Sequence, residues 1–220
     1  VASNKTVEVI NASGSTDVVT VAQEFASKNV LGNNGSTLQV TSGLSIRDTD
    51  GADMSGNYTI KTETAKGTIT PKAITLSGIT ANSKTYDGNT TAVVSTASAL
   101  FDGKVSGDDL SVASTGTFSD KNAAKGKTVN LVNSLRGADL GNYTVTDQKT
   151  TQADIHKKAL TVSGLTANNK VYDGTNTATP VLSINPAGLV GTETVTATGT
   201  ASYNSQNVNT ANLVTVNTTS

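Results

Sequence analysis

Lys72-Ala73-Ile74-Thr75-Leu76-Ser77-Gly78-Ile79-Thr80-Ala81-Asn82 returns 86 residues later as Lys158-Ala159-Leu160-Thr161-Val162-Ser163-Gly164-Leu165-Thr166-Ala167-Asn168. Both copies run on into Lys-x-Tyr-Asp-Gly, at Lys84 to Gly88 and at Lys170 to Gly174. Self-similarity at such a period marks an array of like units, and it governs the reading of everything else. Within each copy the apolar residues alternate with hydroxyls: Ile74 and Leu76 with Thr75 and Ser77, Leu160 and Val162 with Thr161 and Ser163. That period of two belongs to a strand with one face buried.

Two further blocks extend the repeat in both directions. Gly-Asn-Tyr-Thr occurs at Gly56 to Thr59 and at Gly141 to Thr144, each preceded by Gly-Ala-Asp at Gly51 to Asp53 and Gly137 to Asp139. A segment opening on an aromatic and closing on Lys-Asn or Gln-Asn occurs three times, at Phe25 to Asn29, Phe118 to Asn122 and Tyr203 to Asn207. The order of the blocks divides the chain into the C-terminal part of one repeat (1–71), a complete repeat (72–157) and the N-terminal part of a third (158–220). By this division both ends fall inside a repeat, which is expected either if the parent protein continues in both directions or if the domain boundary lies elsewhere in the cycle.

Composition points to the same class. Thr occurs 38 times, while aromatic residues make up 4% and charged residues 15%. The charged share is well below the roughly one quarter typical of globular domains, so hydroxyls and amides cover this surface. Thr and Val suit a pleated sheet because β-branched side chains pack well there. A net charge of −1 with 35% apolar residues is not the signature of a disordered chain. With 16 basic and 17 acidic residues there is no field to hold a polyanion or an anionic membrane, which argues against nucleic acid, and with no run of about 18 apolar residues membrane insertion is not expected. The absence of Cys removes disulfides, thiolate metal sites and a cysteine nucleophile.

Short alternating runs at Thr91 to Ser95, Leu110 to Ala113, Thr128 to Val132, Tyr143 to Thr146 and Thr151 to His156 join those at Ala73, Lys84 and Phe118. They predict seven or eight strands in the complete repeat, at the spacing of an immunoglobulin-like β-sandwich. Pro71, Pro180 and Pro186 are expected between the runs, where a missing amide donor does little harm.

The paired Lys-x-Tyr-Asp-Gly segments, with Gly-Ala-Asp and Gly-Asn-Tyr-Thr downstream, resemble the YDG repeats of bacterial secreted adhesins of the filamentous-haemagglutinin or two-partner-secretion kind. The resemblance covers nearly the whole chain. It implies an exported, elongated scaffold at the bacterial cell surface: tandem immunoglobulin-like sandwiches of about 86 residues forming a rod. The N-terminal copy departs from the pattern by a longer Gly-Asn segment, Gly32 to Ser36. In the third copy Ala201 and Tyr203 compete to align with Phe118.

Candidate chemistry is sparse. In Tyr86-Asp87-Gly88 and Tyr172-Asp173-Gly174 the expected roles are structural: Asp accepts bonds from its own turn, Gly takes a positive φ, and Tyr covers the core edge with its hydroxyl outside. Asp48-Thr49-Asp50-Gly51-Ala52-Asp53 could gather oxygen ligands for Ca²⁺, yet it lacks the ligand spacing and terminal Glu of a helix-loop-helix site. The second copy, Ser134 to Asp139, keeps only the last Asp, and a solvated turn is the preferred reading, with no cofactor assigned. His156 is the single histidine, so no histidine cage or triad can be assembled within this chain. No catalytic, cofactor or metal residue is assigned, and an enzyme is not expected. The expected function is a structural stalk or spacer of a surface adhesin, with adjacent repeats of the same chain as partners. The alternative is direct binding of host or matrix glycans or proteins, or homotypic contact through Thr-rich strand edges.

Overall fold

The computed structural model describes residues 3–10, 16–41, 44–59 and 61–218. The described chain is all-β; its only helical elements are three 3₁₀ turns of three residues each. It divides into two compact units, one holding Val1–Gly78, Thr96–Ala113 and Asn133–Gln148, the other Ile79–Ser95, Ser114–Val132 and Lys149–Ser220.

In the first unit, the strands Ser3–Ile10, Thr16–Phe25, Ser36–Val40 and Ala65–Gly67 form an antiparallel sheet in that order, with Ser45–Arg47 also on Thr16–Phe25. A second sheet places Lys72–Ser77 between Leu100–Asp102, antiparallel, and Tyr143–Thr146, parallel. The alternation foreseen for Lys72–Ser77 holds: Ile74 and Leu76 are 4% and 2% exposed, while Ala73 and Thr75 face out. The Leu100–Asp102 strand has too few residues to show a period, which is why the sequence does not announce it.

The second unit contains a five-stranded sheet in the order Lys84–Thr85, Thr150–His156, Ala124–Arg136, Ser111–Phe118, Thr91–Ala92; the two long central strands each run partly in the first unit. Lys84–Thr85 joins Thr150–His156 in parallel, and the other pairs whose register is defined, Thr150–His156 with Ala124–Arg136 and Ser111–Phe118 with Thr91–Ala92, are antiparallel. Alternation again sorts the faces: Val129 and Leu131 are buried and Val132 is exposed. Gly116 is required by packing, since a Cβ there would meet Val94 Cγ1 at 2.6 Å and Val129 Cγ1 at 2.9 Å. Phe118 closes this strand and is 1% exposed.

The same unit carries the third copy as two small sheets, Val162–Ala167 with Pro180–Ile184, and Thr177–Ala178, Gly199–Tyr203 and Val214–Thr218 in that order. Pro180 departs from expectation by opening a strand opposite Ala167 rather than lying between strands; the first strand position tolerates the missing N–H. Pro186 opens the 3₁₀ turn Pro186–Gly188, where its fixed φ suits the first helical position. The choice between Ala201 and Tyr203 is settled by register. Gly116 pairs with Ala92 and Ala201 with Ala178. The Phe118 N–H donates to the Thr90 carbonyl at 2.8 Å as the Tyr203 N–H donates to Asn176 at 2.7 Å. Tyr203 is therefore the counterpart of Phe118.

Phe118→Ala should lower the unfolding free energy by about 3–5 kcal/mol through the cavity it leaves, whereas Val132→Ala on the open face should change it by less than about 0.5 kcal/mol. Urea unfolding of the two variants beside the parent chain measures both.

Candidate functional site: the Tyr-Asp-Gly turns and the repeat junctions

Each Tyr-Asp-Gly turn is built around a lysine. Lys84 Nζ donates to Asp87 Oδ1 at 2.8 Å, to the Asn89 carbonyl and Oδ1 at 2.9 Å each, and to the Thr91 carbonyl at 3.1 Å. It also stands 5.5 Å from the centre of the Phe118 ring, within cation–π range. Lys170 repeats the arrangement with Asp173 Oδ1 at 2.8 Å and the Thr175 carbonyl and Oγ1 at 2.9 Å. The Asp also takes the backbone N–H two residues on, Asn89 at 3.1 Å and Thr175 at 2.9 Å, as an Asx turn does. Gly88 and Gly174 both hold φ at 77°, a conformation favouring glycine. The lysine bond is the leading cause that holds the Asp87 carboxyl below its ordinary range and Asp173 at about 2.

The tyrosines behave differently from the expectation. Tyr86 does not leave its hydroxyl in solvent but donates it to Glu193 Oε1 in the third copy. Tyr172 is 60% exposed.

Glu193 is one of two acids in equivalent positions. Val105-Ser106-Gly107-Asp108 and Val190-Gly191-Thr192-Glu193 lie 85 residues apart, each placing an acid three residues after a valine. In the first unit, Asp108 of the complete repeat is 8% exposed and is met by Lys28 of the preceding copy, Nζ to Oδ1 at 2.6 Å. Its other oxygen accepts the Tyr143 hydroxyl at 2.5 Å, and Lys104 Nζ caps its carbonyl at 2.8 Å. Lys28 also lies 3.0 Å from Asp139 Oδ1. Beside it Asn142 accepts the Val30 N–H at 2.8 Å and donates to Asn29 Oδ1 at 3.0 Å. In the second unit the counterpart of Lys28, Lys121, approaches Glu193 Oε1 at 3.7 Å. In its first two occurrences the aromatic-to-Lys-Asn block thus carries a lysine directed at the acid of the following copy.

The bond to Asp108 is the main cause raising Lys28 to about 12, and the reciprocal bonds from Lys28 and then Tyr143 depress Asp108. Asp139 is depressed chiefly by the Asp109 N–H, 2.9 Å away, and then by Lys28. The same carboxylate-to-tyrosine bond recurs in the first copy, where Tyr58 donates to Asp17 Oδ2 at 2.5 Å and Asp17 is 1% exposed. Sequence reasoning missed the buried acids Asp17 and Asp108 because neither lies near its tyrosine in the chain. For Asp108 the Val-x-x-acid coincidence at offset 85 was the available signal. Gly137 explains the Gly of Gly-Ala-Asp: it holds φ at 130°, and a Cβ there would lie 2.1 Å from the Asp109 carbonyl oxygen.

Two of the three carboxylates in the Asp48 to Asp53 loop turn inward to its own backbone. Asp48 Oδ1 accepts the N–H groups of Asp50 at 3.0 Å and Ala52 at 2.8 Å, and Asp53 Oδ1 that of Ser55 at 2.9 Å. Arg47 adds a bond to the Gly51 carbonyl at 2.8 Å. Among the described residues no group of three or more His, Asp and Glu side chains is placed to hold a metal ion. His156 is exposed at the end of its strand, where its carbonyl accepts the Tyr86 N–H at 2.9 Å. No helix among the described residues is long and apolar enough to cross a membrane.

A β-repeat chain whose recurrent side-chain chemistry serves turns and copy-to-copy contacts is thereby defined. The chain matches the YDG domain over residues 70–152 and again over 156–220, and it belongs to the YDG domain family. No curated protein and no solved structure matches it.

Folding depresses these carboxyls below their unfolded value of about 3.9, so their bonds contribute fully above that value and are lost as pH falls through the folded values, about 2 for Asp173. Lys28, raised to about 12, contributes fully below its unfolded value and is lost only as pH rises through the folded one. The thermal midpoint should therefore be flat between about pH 5 and 9 and fall below about pH 4. Asp108→Asn should lower the neutral plateau and make the acid decline shallower, as read by circular dichroism melts across pH.

Proposed function

We propose that the chain is a structural stalk or spacer segment of a bacterial surface adhesin, exported to the cell surface and projecting an adhesive region away from it. In this reading each copy is an immunoglobulin-like sandwich, the copies stack end to end into a rod, and no reaction is catalysed. The observation that carries it is the recurrence of one contact: Lys28 to Asp108 and Lys121 to Glu193, a lysine of one copy on the acid of the next. Copies that touch only their neighbours, each through the same surface, are how a quasi-one-dimensional array is built. With only 15% charged residues, the surface is rich in hydroxyls and amides, which suits separation rather than capture.

Small-angle scattering tests the reading directly. A compact 220-residue domain has a radius of gyration of roughly 17 Å and an unfolded chain roughly 50 Å. The expected value lies clearly above the former and below the latter, with a long tail in the pair-distance distribution that added Ca²⁺ leaves unchanged. A radius near the compact value would rule out a rod, and straightening on Ca²⁺ would rule out an ion-independent one.

A further inference from the structure

Two of the three residues in Tyr86-Asp87-Gly88 face the following copy. Tyr86 gives its hydroxyl to Glu193, and a Cβ on Gly88 would strike Val190 Cγ1 at 2.7 Å, so a glycine is what admits the valine. Lys121 completes the reception of the carboxylate. Tyr172-Asp173-Gly174 has the same construction, with the same lysine-to-Asp distance of 2.8 Å and the same glycine φ of 77°. The counterpart of Lys121 is Gln206, each standing three residues after its aromatic, Phe118 or Tyr203. Tyr172 and Gln206 border one cavity of about 230 Å³, which Tyr203 and Val208 also line. The position a Cβ would take on Gly174 has nothing within 4 Å, and Val171, Tyr172 and Val208 are 89%, 60% and 75% exposed.

We infer that Tyr172, Gly174 and Gln206 form a docking site for a Val-x-x-Asp/Glu segment of a further YDG repeat, the chemistry that Val190 to Glu193 presents to Tyr86. The valine seats against Gly174, and the carboxylate accepts from the Tyr172 hydroxyl and the Gln206 amide. Because a neutral amide replaces the lysine, this contact is less sensitive to salt than one closed by an ion pair. The inference rests on the stacked-repeat reading for its purpose, but the site is scored residue by residue, whatever the length of the particle.

The test is titration of the isotope-labelled full chain with a synthetic peptide of the sequence Pro186 to Thr196, followed by amide chemical shifts. Shifts at Val171 to Gly174 and at the Gln206 side chain are expected, and a peptide carrying Glu193→Gln and Val190→Asp should produce neither. Tyr172→Phe, a surface change, should weaken binding several-fold, and Gln206→Lys should tighten it roughly twofold to fivefold at low salt, the range of an exposed ion pair. The proposal is overturned by no shifts at Val171 to Gly174 with millimolar peptide, by shifts confined to Tyr86 and Gly88, or by unchanged binding to the Tyr172→Phe chain. A compact particle in scattering with these shifts intact would remove the stalk alone; a rod without them would remove the docking site alone.

Discussion

An ammonium group held 5.5 Å above the buried Phe118 ring is the constraint around which the YDG turn is organised. Lys84 cannot leave water without replacements for it, because an unpaired charge taken from solvent is costly. The chain supplies them from one short loop, Asp87, Asn89 and Thr91, whose folding back on the lysine fixes the turn and delivers Thr91–Ala92 to the edge of the sheet beside Ser111–Phe118. Sheet edge, turn and core aromatic are thereby tied to a single side chain. The motif's Asp and Gly are needed for that loop and its Tyr is not, which leaves the tyrosine available for another partner.

The strands that the sequence discloses are those with enough residues to show alternation on one buried face. Lys72–Ser77, Ala124–Arg136 and Thr150–His156 carry Ile74, Leu76, Val129, Leu131 and Ile155 inward, as period two requires. Leu100–Asp102 is too short for a period, and only its partner makes it a strand. Pro180 was misleading because a proline excludes the interior of a sheet but not the first position of a strand.

The site was legible in its local half. Asp87 and Asp173 act within four residues of themselves, so turn chemistry read from the sequence is enough to place them. The Lys28 to Asp108 and Tyr143 to Asp108 contacts join residues 80 and 35 positions apart. Nothing in local propensity encodes such a pair, and a residue-type count treats both acids as ordinary surface charge. What does encode it is the repeat itself, because a side chain that must meet its neighbour has to recur in every copy at a matching place. Lys28 and Lys121 do so while Gln206 departs, so the third copy keeps the geometry and loses the charge.

The parallel pairs near the two ends of the complete repeat have a mechanical meaning. Lys72–Ser77 lies along Tyr143–Thr146, and Lys84–Thr85 along Thr150–His156. Strands that run the same way and are pulled from opposite ends slide past one another, so their hydrogen bonds bear tension together in shear rather than opening one at a time. A chain stretched between an anchor and a moving load would yield last at these pairs, with the rate of unfolding under force, rather than equilibrium stability, setting how long it holds.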